Sequence, residues 1–173
     1  MRKYWKEFLF FILLAELVGA VGATFVLPSL SWYDALAKPS LTPPASAFGP
    51  VWFLLYFLIG LSAYVLYRHG LENQEVKVAI SLFIGALALN LLWPMVFFGL
   101  KDPLLGFIVI IALVCAVAAS SVATWRVSKL AACLLVPYLL WVIFAIYLNF
   151  GMWQLQAHPT VIPAYASEGN TIH

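Results

Sequence analysis

Five long apolar runs constrain this chain more than any other feature. They fall at about residues 8–27, 51–67, 78–98, 103–125 and 130–153, and a helix needs about 20 predominantly apolar residues to cross a hydrocarbon core. The runs are continuous rather than alternating, and they are too long for barrel strands of about 10 residues. Apolar residues make up 65% of the 173 positions and charged ones 9%, more hydrophobic surface than a chain of this length can hide from water. The expected fold is therefore an all-α integral membrane protein, a five transmembrane helix bundle forming one domain over 1–153. Its first partner is the lipid bilayer, and a flexible polar tail is expected at 154–173.

Basic residues orient the bundle. Arg2, Lys3, Lys6, Arg68, Lys77, Arg126 and Lys129 fall on the N-terminal side of a five-span topology, against Lys38 and Lys101 on the other. This bias predicts a cytoplasmic N-terminus, with the C-terminus and the first loop outside. A cleaved leader ending near Ala20, Val21 and Gly22 is the competing reading of the start. The run of about 20 apolar residues is longer than a signal core, so the first span is expected to stay. The formal charge of +2 is small and its basic residues are scattered, which argues against nucleic acid as a partner. Cys115 and Cys133 lie inside spans four and five, where small apolar packing is the expected role.

Short polar connections follow the second, third and fourth spans and favour antiparallel neighbours in an up-down bundle. The first connection differs. Residues 28–50 carry Pro28, Pro39, Pro43, Pro44 and Pro50 together with Trp32, Tyr33 and Phe48, and loops longer than about 12–15 residues are usually functional or disordered. Two readings compete for it: a semi-rigid lid, or an interfacial belt of aromatic residues at headgroup level.

Polar and aromatic residues three and four apart share helix faces. In the third span Asn90, Trp93 and Phe97 line one face. Pro94 lacks a donor and crowds the carbonyl of residue 90, so Asn90 is expected to offer an amide beside a freed backbone oxygen. In the fifth span Pro137 frees the Cys133 carbonyl, and Trp141, Ala145 and Asn149 follow at four-residue steps; in the second, Trp52 and Tyr56 are four apart. Each could simply pack, or hydrogen-bond a neighbouring helix for about 0.6 kcal/mol. Together, a Trp and a polar partner on each of three helices suit a pocket that stacks a flat ligand and orients it.

Glu16 is the acidic residue well inside a span, with Gly19, Ala20 and Ala23 on its face. A charge at a helix centre costs about 2.5–3.5 kcal/mol on insertion scales, so Glu16 either points inward or is protonated. A proton relay would need a second intramembrane partner, and none is evident. Ala15, Gly19 and Ala23, and separately Ser81 and Gly85, have small-xxx-small spacing; packing within the chain and a homodimer through the third span are the two readings. His69, His158 and His173 lie outside the spans, so no histidine pair is placed to hold haem or a metal within the bundle. No Walker loop, Ser-His-Asp set or pair of acids is present for hydrolysis.

Three segments, WYDALAKPSLTPPASAFGPVWFLLY at 32–56, LALNLLWPMVFFG at 87–99 and LAACLLVPYLLWVIFAIYLN at 130–149, resemble the TspO/MBR family, the tryptophan-rich sensory or translocator proteins, formerly the peripheral benzodiazepine receptors. The resemblance implies a five-helix bundle, often a homodimer, whose cavity under the first loop binds porphyrins such as protoporphyrin IX and haem, sterols, and benzodiazepine-type drugs. It requires no cofactor. By position, Trp32 and Tyr33 match loop aromatics over the pocket, and Trp52 and Trp141 match tryptophans linked to porphyrin handling. Asn90 matches the polar residue facing bound drug, and Ala145 a small residue that governs ligand and sterol affinity. Two departures matter. Phe150 stands where the family's cholesterol motif needs Tyr and no basic residue follows, so sterol binding by that route is not expected. Leu105 replaces a pocket Trp of animal members, so drug affinity is expected to differ.

The ligand-binding set expected from faces and resemblance together is Trp32, Tyr33, Trp52, Tyr56, Asn90, Trp93, Phe97, Trp141 and Ala145. Three functions fit such a set: a porphyrin-binding receptor or transporter in tetrapyrrole-linked stress signalling; light- and oxygen-driven porphyrin breakdown through Trp52 and Trp141, with no firm catalytic residue and no acid-base set to drive turnover; or a plain interaction partner whose aromatics only pack.

Overall fold

The computed structural model describes residues 4–157, so most of the polar tail expected at 154–173 lies outside the described residues. Among the described residues there are six α-helices: α1 Trp5–Val26, α2 Leu30–Ala35, α3 Ala45–Tyr67, α4 Gln74–Pro94, α5 Pro103–Val127 and α6 Lys129–Ala157. Five helical stretches are long and apolar enough to cross a membrane: α1 through α2, α3, α4 with the turn that follows it, α5 and α6. No strand occurs among the described residues. Large apolar side chains such as Phe10, Leu13, Phe53, Ile84, Leu130 and Leu140 face outward from these helices. An exposed apolar surface of that extent is stable only against acyl chains. The protein is an all-α, multi-pass integral membrane protein.

Residues 28–50 are mostly helical rather than loop. Helix α1 passes through a 3-10 turn, Leu27–Ser29, straight into α2, and α3 begins at Ala45, which leaves only 36–44 without helix. The prolines misled because of where they sit. Pro28 lies in the 3-10 turn that joins α1 to α2, where it forfeits one backbone bond without breaking the helical path. Pro50 stands near the start of α3 and forfeits one intrahelical bond there. The remaining helix starts follow local capping: Asn73 Oδ1 accepts from the Glu75 N–H at 2.9 Å, and Asp102 Oδ1 from the Leu105 N–H at 2.9 Å. Asn73 starts α4 at Gln74 rather than 78. After Pro94 the chain widens into a π-helical turn, Met95–Gly99, closed by the Leu100 N–H on the Met95 carbonyl; π turns of this kind recur at functional sites. Helix α6 runs to Ala157, four residues into the expected tail.

Around the bundle, α1 packs on α3, α3 on α6, α6 on α5, α5 on α4, and α4 returns to α1. Helices α3 and α4 are consecutive yet hardly touch, contrary to the up-down expectation for that link. The connection at 68–73 turns at Gly70 with φ 86°, and a segment of that length spans up to roughly 20 Å, beyond the 8–10 Å between adjacent helices. Towards the 36–44 linker a cavity lies between them, while at the other end Leu66 of α3 and Val76 and Ala79 of α4 share a buried cluster.

A small residue decides the α1–α3 contact. A Cβ on Gly60 would stand 2.7 Å from the Phe11 carbonyl oxygen and 2.8 Å from Ile12 Cα, both backbone atoms of α1. By contrast, Ser81 is exposed and a Cβ on Gly85 would meet nothing within 4 Å, so that pair packs nothing within the chain. Cys115 and Cys133 are also exposed on the outer faces of α5 and α6 rather than packed inside. Gly60→Ala is expected to destabilise the protein by about 1–3 kcal/mol by overpacking the α1–α3 contact, whereas Gly85→Ala should be neutral or slightly stabilising. Thermal unfolding of both variants in one detergent checks this; equal shifts would contradict the close approach.

Candidate ligand-binding site

The cavity fills the half of the bundle nearest the 36–44 linker. Its volume is about 600 Å³, and it is walled by α1, α3, α4 with its π turn, and α6, with Tyr33 of α2 reaching in. Volumes of about 300–1,000 Å³ are usual for small-molecule sites. Open space is left there because α1 presents Gly19, Ala20, Gly22 and Ala23, α3 presents Ala45 and Gly49, and α6 presents Ala145. Gly19 has a second role: a Cβ would come within 2.5 Å of the Tyr56 ring, which lies directly against α1.

One hydrogen-bonded bridge joins three helices at the edge of this space. The Tyr56 hydroxyl donates to Asn90 Oδ1 at 2.7 Å, and Asn90 Nδ2 donates to the Tyr138 hydroxyl, linking α3, α4 and α6. Asn90 is 2% exposed. An amide has two donors and two acceptor positions, so half of Asn90's capacity is already committed to tyrosines. Sequence reasoning treated the amide as free for a ligand; its first task is to hold the helices. Trp93 is committed as well, its indole N–H donating to Asn149 Oδ1 at 3.1 Å while Asn149 Nδ2 donates to the Ala145 carbonyl at 2.8 Å.

Aromatic rings line much of the remaining surface. Trp52 meets Trp141 edge-on at 6.4 Å and leans on Tyr56 at 5.6 Å; Phe48 meets Trp141 at 6.0 Å; Trp93 stacks on Phe97 at 5.4 Å. The indole N–H groups of Trp52 and Trp141 have no protein acceptor among the described residues, unlike that of Trp93. The structure thus brings Tyr33, Trp52, Tyr56, Asn90, Trp93, Phe97, Trp141 and Ala145 around one space. Trp32 is not among them. It packs behind the wall, 5.7 Å from Phe97 and 6.4 Å from Phe98. Leu105 is exposed on α5, a helix that contributes nothing to the lining.

Sequence reasoning left out Phe48, Phe98 and Met152, which also line the cavity. The first was hidden by reading 28–50 as loop; the other two carry apolar types that give no signal apart from their helix face. Glu16 lines the cavity too, beside the small residues of α1. The spacing of those small residues suggested helix contact, and in part it serves to leave room.

The linker is fastened over this end. A Cβ on Gly151 would lie 2.9 Å from Pro39, Gln156 Nε2 donates to the Ala37 carbonyl at 3.3 Å, and Lys38 Nζ donates to the Asp34 and Leu36 carbonyls while lying 4.8 Å over the Tyr33 ring. The segment is thus tied to α6 and α2, though none of residues 36–44 lines the cavity.

A family model described as the TspO/MBR family matches residues 11–154. The chain is 44% identical to the tryptophan-rich protein TspO of Archaeoglobus fulgidus, across 84% of this chain and 94% of that protein. It is 38% identical to the translocator protein of Homo sapiens, across 89% and 92%, and 34% identical to the tryptophan-rich sensory protein of Cereibacter sphaeroides, across 90% and 94%. With a five-span fold, a cavity where the three resembling segments meet, and these relatives along most of its length, the chain belongs to the TspO/MBR family.

Proposed function

We propose that this protein is a membrane receptor or transporter whose cavity binds porphyrins, protoporphyrin IX or haem, and related flat hydrophobic molecules, in tetrapyrrole-linked stress sensing or transport. The observation that supports this most is the contact of Trp52 with Trp141 on the wall of one cavity of about 600 Å³, with their indole N–H groups unspent. Ring faces suit stacking on a macrocycle, and free N–H donors suit its carboxylates or carbonyls. Haem enters this reading as a ligand rather than a resident cofactor. The seven-to-two bias of basic residues supports an orientation in which the 36–44 linker and cavity face outside. A homodimer, if formed, would use the outward Ser81 and Gly85 face of α4.

Protoporphyrin IX binding, followed by quenching of tryptophan fluorescence in detergent or nanodiscs, tests the reading. Trp141→Ala and Ala145→Phe, the second of which fills the space, should each weaken binding about tenfold or more, or 1.4 kcal/mol per tenfold. Unchanged affinity in both would exclude this cavity. Asn90→Ala is expected to act differently, lowering stability by about 1–3 kcal/mol because two buried tyrosine hydroxyls lose their partner. A thermal melt of the ligand-free variant reads that loss separately from affinity.

The Trp52–Trp141 contact also favours a second reading, porphyrin degradation under light and oxygen, in which an indole exchanges an electron with the excited macrocycle. Illumination of the bound complex should bleach porphyrin absorbance, and Trp52→Phe with Trp141→Phe should slow it severalfold. Equal rates in wild type and both variants would dismiss it.

A further inference from the structure

Polar groups in the cavity divide into those already engaged by the protein and those left open. Asn90, Tyr56 and Trp93 hydrogen-bond to other side chains. Glu16 does not. Its Oε1 is shielded from solvent and has no hydrogen-bond partner, and the residue lies in the cavity wall near the middle of α1. Among the described residues no lysine, arginine or histidine lines the cavity with it. An acidic side chain in a membrane span faces the interior and marks a pathway or a ligand counter-ion far more often than it serves packing. Here the cavity supplies the interior, and the described residues supply no counter-ion.

We propose that Glu16 makes this cavity a site for amphiphilic ligands that carry a basic nitrogen, with the protonated amine on the Glu16 carboxylate and the aromatic body against Trp52 and Trp141. A charge-assisted N–H to carboxylate bond is short and about twice as strong as a neutral one, and a local dielectric below that of water strengthens it further. A neutral ligand of the same shape leaves the Glu16 carboxylate without a counter-ion. This ligand class differs from porphyrins, whose peripheral acids cannot serve as the cation. The assignment rests on the cavity holding small molecules and is independent of which tetrapyrrole it takes.

The test compares 9-(aminomethyl)anthracene with 9-(hydroxymethyl)anthracene, alike in shape and different in charge, on the full chain in nanodiscs of zwitterionic phosphatidylcholine. The amine is expected to bind at least about tenfold more tightly. Glu16→Gln should abolish the gap by weakening the amine alone, with the alcohol unchanged. Glu16→Asp, which keeps the carboxylate but withdraws it by one methylene, should narrow the gap and serves if the glutamine variant fails to fold. A gap that persists in Glu16→Gln, or is absent in the wild type, overturns the assignment. Protoporphyrin IX measured alongside separates the two ideas: porphyrin binding without the amine gap removes Glu16 only, and failure of every probe to bind removes the cavity reading with it.

Discussion

The Tyr56–Asn90–Tyr138 bridge is the interaction on which this bundle's shape depends. Within a bilayer no water is available to satisfy polar side chains, so they find one another or remain unpaired at a cost of several kcal/mol. Here one amide satisfies two hydroxyls and thereby fixes α3, α4 and α6 relative to each other beside an empty space. Helices α3 and α4 can then stand apart without collapsing, and small residues on α1 keep the opposite wall thin. Rigid walls and open volume have one origin.

Most of the fold could be read from the chain because length and apolar continuity are strong signals in a membrane protein. The five spans are present, with ends displaced where a cap or a tolerated proline overrode the hydropathy edge. Asn73 pulled α4 back to Gln74, and Pro28 and Pro50 stand inside helical stretches that carry on through them. The neighbour order was less legible. Short links suggest adjacency, but nothing in residues 68–73 records that a cavity opens between the helices they join.

Helical faces also located much of the aromatic and polar part of the cavity wall, since four-residue spacing survives into the structure at Trp52 and Tyr56 and at Trp141 and Ala145. The same spacing could not tell a free polar group from an engaged one. Asn90 looked available and is half committed; Glu16 looked like an isolated expense and is the unpaired acid of the site. That distinction depends on partners contributed by other helices, which one helix's pattern does not contain. Trp32 illustrates the same limit, because its neighbour Tyr33 points into the cavity while Trp32 packs on Phe97 and Phe98 from outside.

The central claim is that the space between α1, α3, α4 and α6 receives a flat guest. The most direct measurement is a structure of the full chain in a lipid bilayer with protoporphyrin IX bound. The account predicts the macrocycle beneath the 36–44 linker, in contact with Trp52 and Trp141 and with the Tyr56–Asn90–Tyr138 bridge still closed. Porphyrin held on the outer face of α5, with those two indoles unchanged and the cavity unfilled, would contradict it.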